Sequence, residues 1–154
     1  MEFSREEIRE MTAHAVAEYP RECIGVITGL EGGASGNSIK RLTNKQNQMH
    51  EEDPKRFNRD ARTGYFVDPK EVFELQRETE KRGEKILAFY HSHPDHDAYF
   101  SQEDHAGAVM WDEPVYPGTV YVVISVIKGA VKEAVVFSWD GKGYSPSSKL
   151  LLES

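Results

Sequence analysis

Two histidines separated by one residue, His91 and His93, are followed by Ser101 and Asp104 in the spacing H-x-H-x7-S-x-x-D. Two imidazoles and a carboxylate are a ligand set that suits a zinc ion keeping the fourth corner of its tetrahedron for water. His91, His93 and Asp104 are therefore candidate ligands of one zinc ion, with the Ser101 hydroxyl beside them. Each half of the motif also has a plain structural meaning. A His-x-His pair at a strand end is commonly a surface feature, and Ser-x-x-Asp at a helix start is a capping pattern. The combination, at one spacing behind an apolar segment, selects the metal reading. His96 and Asp97 stand as substitute ligands, whereas Asp95 and His105 read as solvated groups.

The elements that must position these side chains are legible nearby. Ile86–Tyr90 is an apolar run rich in strand formers that begins after Gly83 and predicts a buried strand running into His91. Residues two apart on a strand share a face, which aims both imidazoles at one point. Pro94 has no backbone donor and ends the strand. Residues 95–100 form a polar loop, and a helix is expected from Ser101, with Ser101 and Asp104 on one face.

The rest of the chain reads as an alternating α/β order without repeats. Ser4 and Glu7 make a capping box for a first helix that stops at Tyr19-Pro20. Strands are expected at Cys23–Thr28 and near Ser38–Leu42, joined by a glycine-rich turn at residues 31–36. Residues 44–63 are polar without a period and predict a long loop, either a lid that orders over substrate or a polar insert. A short strand at Tyr65–Val67 precedes a helix opened by Asp68-Pro69 and closed at Gly83. Val120–Ile127 and Ala130–Trp139 predict a hairpin about Lys128-Gly129, followed by a turn-rich stretch and the apolar Leu150–Leu152.

A hydrolytic metal site needs a base that takes a proton from water and delivers it to the leaving group. Glu22 is the candidate, held at the start of a strand behind a helix-stopping proline. Composition bounds the partners. With 154 residues the chain suits one domain. Its formal net charge of -7 argues against nucleic acid, which requires a basic surface. Its single cysteine, Cys23, fits a reducing compartment and reads as a buried apolar filler. No apolar segment resembles a signal peptide or a membrane span, so a soluble, cytoplasmic protein is expected.

Glu22 within Pro20-Arg-Glu-Cys-Ile-Gly25, His91-Ser-His93-Pro94, and the Ser101 and Asp104 pair together resemble the JAMM (MPN-plus) metallopeptidases, in particular the small stand-alone bacterial and archaeal members. Asn44, Phe66-Val-Asp-Pro69 and Gly83-Glu-Lys extend the resemblance over most of the chain. The resemblance implies a curved mixed sheet flanked by helices, similar to cytidine deaminases. It implies that His91, His93 and Asp104 bind one Zn2+, that Glu22 is the general acid/base, and that Ser101 donates a hydrogen bond to the oxyanion. The loop after His93, Pro-Asp-His-Asp-Ala-Tyr-Phe, departs from the small residues and prolines of many relatives. The implied substrate is the C-terminal Gly-Gly tail of a ubiquitin-like or sulfur-carrier protein, delivered as an added strand. Two other readings are a phage-tail-type endopeptidase and a non-catalytic binding module. The intact set of five residues counts against the module, and the missing Pro-Cys-x-x-Cys pair counts against a deaminase.

Overall fold

The computed structural model describes residues 1–32 and 36–152, so part of the expected glycine-rich turn lies outside the described residues. Six strands form one mixed sheet in the order β2-β1-β3-β6-β7-β8. These are β1 (Ile24–Gly29), β2 (Ser38–Arg41), β3 (Lys85–Pro94), β6 (Val120–Ile127), β7 (Ala130–Trp139) and β8 (Tyr144–Lys149). Neighbours are antiparallel except for β3 and β6, which run parallel. The helices are α1 (Arg5–Glu18), α2 (Gln46–Glu52), α3 (Pro69–Lys81) and α4 (Gln102–Ala108). Two short strands after α4, β4 (Val109–Met110) and β5 (Glu113–Pro114), pair with each other. Among the described residues, no helix is long and apolar enough to cross a membrane.

Side-chain alternation divides the core between the two faces of the sheet. Ala88 and Tyr90 of β3 join Met11 and Ala15 of α1 on one face. Phe89 joins Leu75 of α3 and Ala108 of α4 on the other. The same period places His91 and His93 on the α3/α4 face and leaves Ser92 for the α1 face.

Local signals explain most element ends. Ser4 Oγ accepts from the Glu7 N–H (3.1 Å) while Glu7 Oε1 accepts from the Ser4 N–H (2.7 Å), closing the capping box of α1. Asp68 accepts from the Lys70 N–H (3.0 Å) with Pro69 opening α3. Lys128 and Gly129, at φ 51° and 83°, turn β6 into β7, the left-handed pair that a two-residue hairpin favours.

Three expectations are corrected. Residues 46–52, expected as loop, form α2, although Gln46 is its one buried residue. No strand forms at 65–67, because the Phe66 N–H donates to the Asn44 side chain (3.1 Å) and its carbonyl accepts from the Lys45 N–H (2.7 Å). Residues 144–149 form β8, an edge strand in which Pro146, lacking an N–H, is tolerated.

Gly25 pairs with Tyr90 across the β1/β3 ladder, and a Cβ at Gly25 would overlap the Tyr90 ring. That ring is fully buried, and its hydroxyl meets His14 Nδ1 at 2.8 Å. Burial, assisted by the charge of Arg41, lowers the His14 pKa to about 4 and keeps the imidazole neutral at neutral pH. Gly25→Ala is expected to cost about 1–3 kcal/mol through overpacking. Thermal denaturation checks this, and an unchanged Tm would show that the ring moves freely.

Candidate active site

The site is assembled at the carboxyl end of β3, beside the start of α4. In the β1/β3 register Ile24 faces His91. Glu22, two residues before Ile24, therefore falls on the same side as the histidines. His91 and His93 pair with Val123 and Ser125 of β6, so both imidazoles rise from the middle of the sheet. Pro94 ends β3, and Ser125 Oγ donates to the His96 carbonyl (2.5 Å), fixing the turn beyond it. That turn returns the chain to Ser101, the N-cap of α4.

The capping and metal readings of Ser-x-x-Asp hold together in the geometry. Ser101 Oγ accepts from the Asp104 N–H and Asp104 Oδ2 accepts from the Ser101 N–H, each at 3.0 Å. The same Asp104 Oδ2 lies 3.1 Å from His91 Nε2 and 3.3 Å from His93 Nε2. The two Nε2 atoms are 3.2 Å apart. Nitrogen or oxygen ligands about 2.0–2.1 Å from a zinc ion at the centre of a tetrahedron would lie roughly 3.3–3.4 Å from one another. The three atoms match that triangle.

Hydrogen bonding supports the same arrangement. The Asp97 carbonyl lies 3.0 Å from His93 Nδ1 and can only accept, so Nδ1 carries a proton and the ring is oriented with Nε2 towards Asp104. His91 Nδ1 is buried without a hydrogen-bond partner among the described residues, so His93 is the better oriented ring. The donor set fits a divalent cation.

Two carboxylates compete for the role of third ligand. A Glu22 oxygen and a ring nitrogen from each histidine also lie within 4.8 Å of one another. Electrostatics separates the two acids. For Asp104, burial opposes ionisation, but the His91 charge and hydrogen bonds from His91, His93 and the Ser101 N–H hold the carboxyl far below its usual range. For Glu22, burial and then the negative charge of Asp104 push the pKa up to about 9, against the opposing charge of Arg59. Paired acids driven apart in this way are suited to different work, one as a fixed anion and the other as a proton carrier.

The substitute ligands are directed elsewhere. His96 Nδ1 contacts the Pro94 carbonyl (2.9 Å), and the Asp97 carboxylate pairs with Lys132 (3.0 Å). His105 Nδ1 contacts the Ser101 carbonyl (3.1 Å), and Asp95 accepts from the Tyr19 hydroxyl and the Lys128 N–H. Cys23 is buried with its thiol pushed up to about 12, chiefly by burial, which leaves it a poor nucleophile.

Sequence reading gave no role to the clamp that holds Glu22. Asn44 Nδ2 donates to the Glu22 carbonyl (2.8 Å) and the Gly64 carbonyl (3.2 Å), while its Oδ1 accepts from the Gln46 and Phe66 N–H groups (3.0 and 3.1 Å). All four hydrogen-bonding positions of the amide are filled. The Glu22 N–H donates to the Ala61 carbonyl (2.6 Å), so the catalytic-acid candidate is gripped on both backbone groups. The bond from Gln46 N–H to Asn44 two residues earlier is an Asx turn, a signal available in Asn-Lys-Gln alone. Asn44→Leu is expected to lower turnover at least about tenfold by releasing Glu22, together with roughly 1–3 kcal/mol of stability for the unpaired backbone groups. Steady-state kinetics beside a thermal melt test it, and unaltered kcat would remove the positioning role.

Glu22, His93, Ser101 and Asp104 line a cleft of about 420 Å³ together with Tyr99 and residues 56–59 and 62–65. Tyr65 packs on His91 and Tyr99 on His93, at centroid distances of 5.1 and 5.0 Å.

A mixed sheet that brings two histidines, an aspartate and a glutamate together beside one cleft has a donor set that could hold a metal ion. Residues 4–140 match the family described as prokaryotic homologs of the JAB domain, and the chain belongs to that family. It is 33% identical over 111 residues to a protein of Haloferax volcanii named desampylase, a match covering 72% of this chain and 67% of that protein. A solved structure from Desulfitobacterium hafniense superposes with a TM-score of 0.63 at 22% identity, covering 98% of this chain and 92% of that one. One from Salinibacter ruber gives 0.59 at 23% identity, covering 96% and 89%. These two likenesses establish the fold.

Proposed function

We propose that the chain is a single-domain, zinc-dependent isopeptidase that hydrolyses the amide linking the C-terminal tail of a ubiquitin-like or sulfur-carrier protein to an amine. The observation that carries this reading is the triangle of His91 Nε2, His93 Nε2 and Asp104 Oδ2, with edges of 3.1–3.3 Å. The relative named desampylase supports the substrate class, since that name denotes removal of a ubiquitin-like modifier.

His91, His93 and Asp104 would hold the ion. Zinc bound there supplies Lewis acidity towards the scissile carbonyl and lowers the pKa of water towards neutrality. The charge of a cation held beside Glu22 would oppose the upward shift that burial gives its carboxyl in the metal-free chain, leaving a carboxylate able to take a proton from the attacking water and return it to the departing amine. Its buried environment suits it to retain the proton in between. Ser101 Oγ already accepts from the Asp104 N–H, which leaves its own proton available for the developing oxyanion.

Zinc analysis and hydrolysis of a Gly-Gly-linked conjugate test the reading together. Chelation is expected to abolish cleavage and zinc to restore it, whereas cleavage indifferent to chelation would overturn the assignment. Ser101→Ala should reduce kcat by about 10²–10³ with full zinc content. Loss of the helix cap adds only about 1 kcal/mol of destabilisation, which a melting curve records separately.

A further inference from the structure

We propose that Arg59 receives a carboxylate of the substrate beside the scissile bond, and that Glu103 holds the guanidinium in place until that carboxylate arrives. The inference rests on the hydrolase reading above and adds a substrate requirement to it.

The chain carries a net charge of -7, yet the cleft is lined by Arg56, Arg59 and Arg62, within seven residues of sequence. Their surroundings differ. Arg62 is neutralised by Asp60 of its own loop, through Nε and Nη2 contacts of 3.0 and 2.8 Å to Asp60 Oδ2. Arg56 lies over the Phe57 ring, 5.2 Å from its centroid. Arg59 reaches α4, where Nη2 contacts Glu103 Oε1 at 2.8 Å. Its backbone carbonyl is anchored by Gln46 Nε2 at 2.8 Å, so a fixed main chain carries a projecting charge.

The Arg59–Glu103 pair makes a poor brace. Its side chains are 48% and 55% exposed, and solvated pairs of this kind contribute little to stability. A guanidinium presents two parallel donors to a carboxylate. An arriving carboxylate that engages the fork therefore exchanges readily with Glu103. Because Arg59 and Glu103 line the same cleft as Glu22 and Ser101, the anion they exchange lies next to the bond to be cut.

A carboxylate at that position has two sources: the α-carboxylate of a leaving amino acid, or an acidic side chain in the tail ahead of its terminal glycines. Four Gly-Gly-linked peptide substrates distinguish them. The leaving amino acid is either free or an amide, and the residue preceding the glycines is either Glu or Gln. Arg59→Ala is expected to raise KM about tenfold on substrates bearing the recognised carboxylate, with kcat within about twofold and no change on the substrate bearing neither. The arm on which KM moves identifies the source. Arg59→Lys should recover part of the loss, and Glu103→Gln should lower KM about two- to threefold on the same substrates. An equal change on all four substrates, or a uniform fall in kcat, would overturn the assignment.

Calorimetric binding of the same peptides to Glu22→Gln separates this inference from the hydrolase reading. Arg59-dependent binding without turnover in the wild type refutes hydrolysis alone. Turnover indifferent to Arg59 refutes the carboxylate site alone, and absence of both refutes both.

Discussion

Glu22→Gln is expected to retain zinc and lose hydrolysis. Gln matches Glu in shape, so the clamp of Asn44 and Ala61 on the backbone of residue 22 is preserved. What disappears is a group able to accept and return a proton. One general acid/base typically contributes about 10²–10⁴ in rate, and Glu22 is assigned both the water and the leaving amine, so a fall of at least about 10³ in kcat is expected. Zinc content should stay at one per chain, because the close triangle consists of His91, His93 and Asp104. Loss of zinc in this variant would exchange the two acids and make Glu22 the ligand.

The substitution also changes the pH dependence of stability in the metal-free protein. The Glu22 pKa is raised from 4.5 to about 9 by burial and by Asp104. Above 4.5 the unfolded chain releases this proton while the folded chain keeps it, so stability falls as pH rises from 4.5 to about 9. Glu22→Gln lacks that loss and should melt higher than the wild type at pH 8 when both are stripped of metal. Parallel melting curves across the interval would contradict the protonated, buried carboxyl.

His93→Ala is expected to lose metal and activity together. It removes one of three converging donors, the one whose tautomer is set by the Asp97 carbonyl. Disturbing only an outer partner of a metal ligand costs roughly 10–100-fold in affinity, and removal of a ligand should exceed that. The residual site, His91 and Asp104 at 3.1 Å, would form an ordinary hydrogen-bonded pair. Elemental analysis with far-UV circular dichroism separates a lost ion from a lost fold, and full zinc occupancy in a folded His93→Ala protein would place the metal elsewhere.

The elements carrying the site were legible because their signals are local. The alternation of β3 and the Ser101/Asp104 spacing need no knowledge of distant residues, and they point to His91, His93, Ser101 and Asp104 directly. Glu22 stands before a strand, but its proximity to His91 depends on the β1/β3 register, which sequence periodicity does not encode. The segment illegible in the sequence is held by side chains in place of apolar periodicity. Residues 44–66 carry few apolar residues, and their order comes from amides. Gln46 binds the Arg59 carbonyl at 2.8 Å, Asn47 the Ala61 N–H at 2.7 Å, and Asn44 closes the segment onto Glu22. The strand β8 was hidden by Ser145, Pro146, Ser147 and Ser148, whose poor strand propensity is overridden by pairing with the apolar β7.

The double engagement of Asp104, with the Ser101 amide and with both imidazoles, bears on how related sequences are to be sorted. A descendant that abandoned chemistry would still gain the cap this carboxylate gives α4, so its retention reports an intact architecture and says little about turnover. The informative positions are those without a second occupation. A lineage that keeps the aspartate but has replaced Glu22 and either histidine should be counted among the silent members.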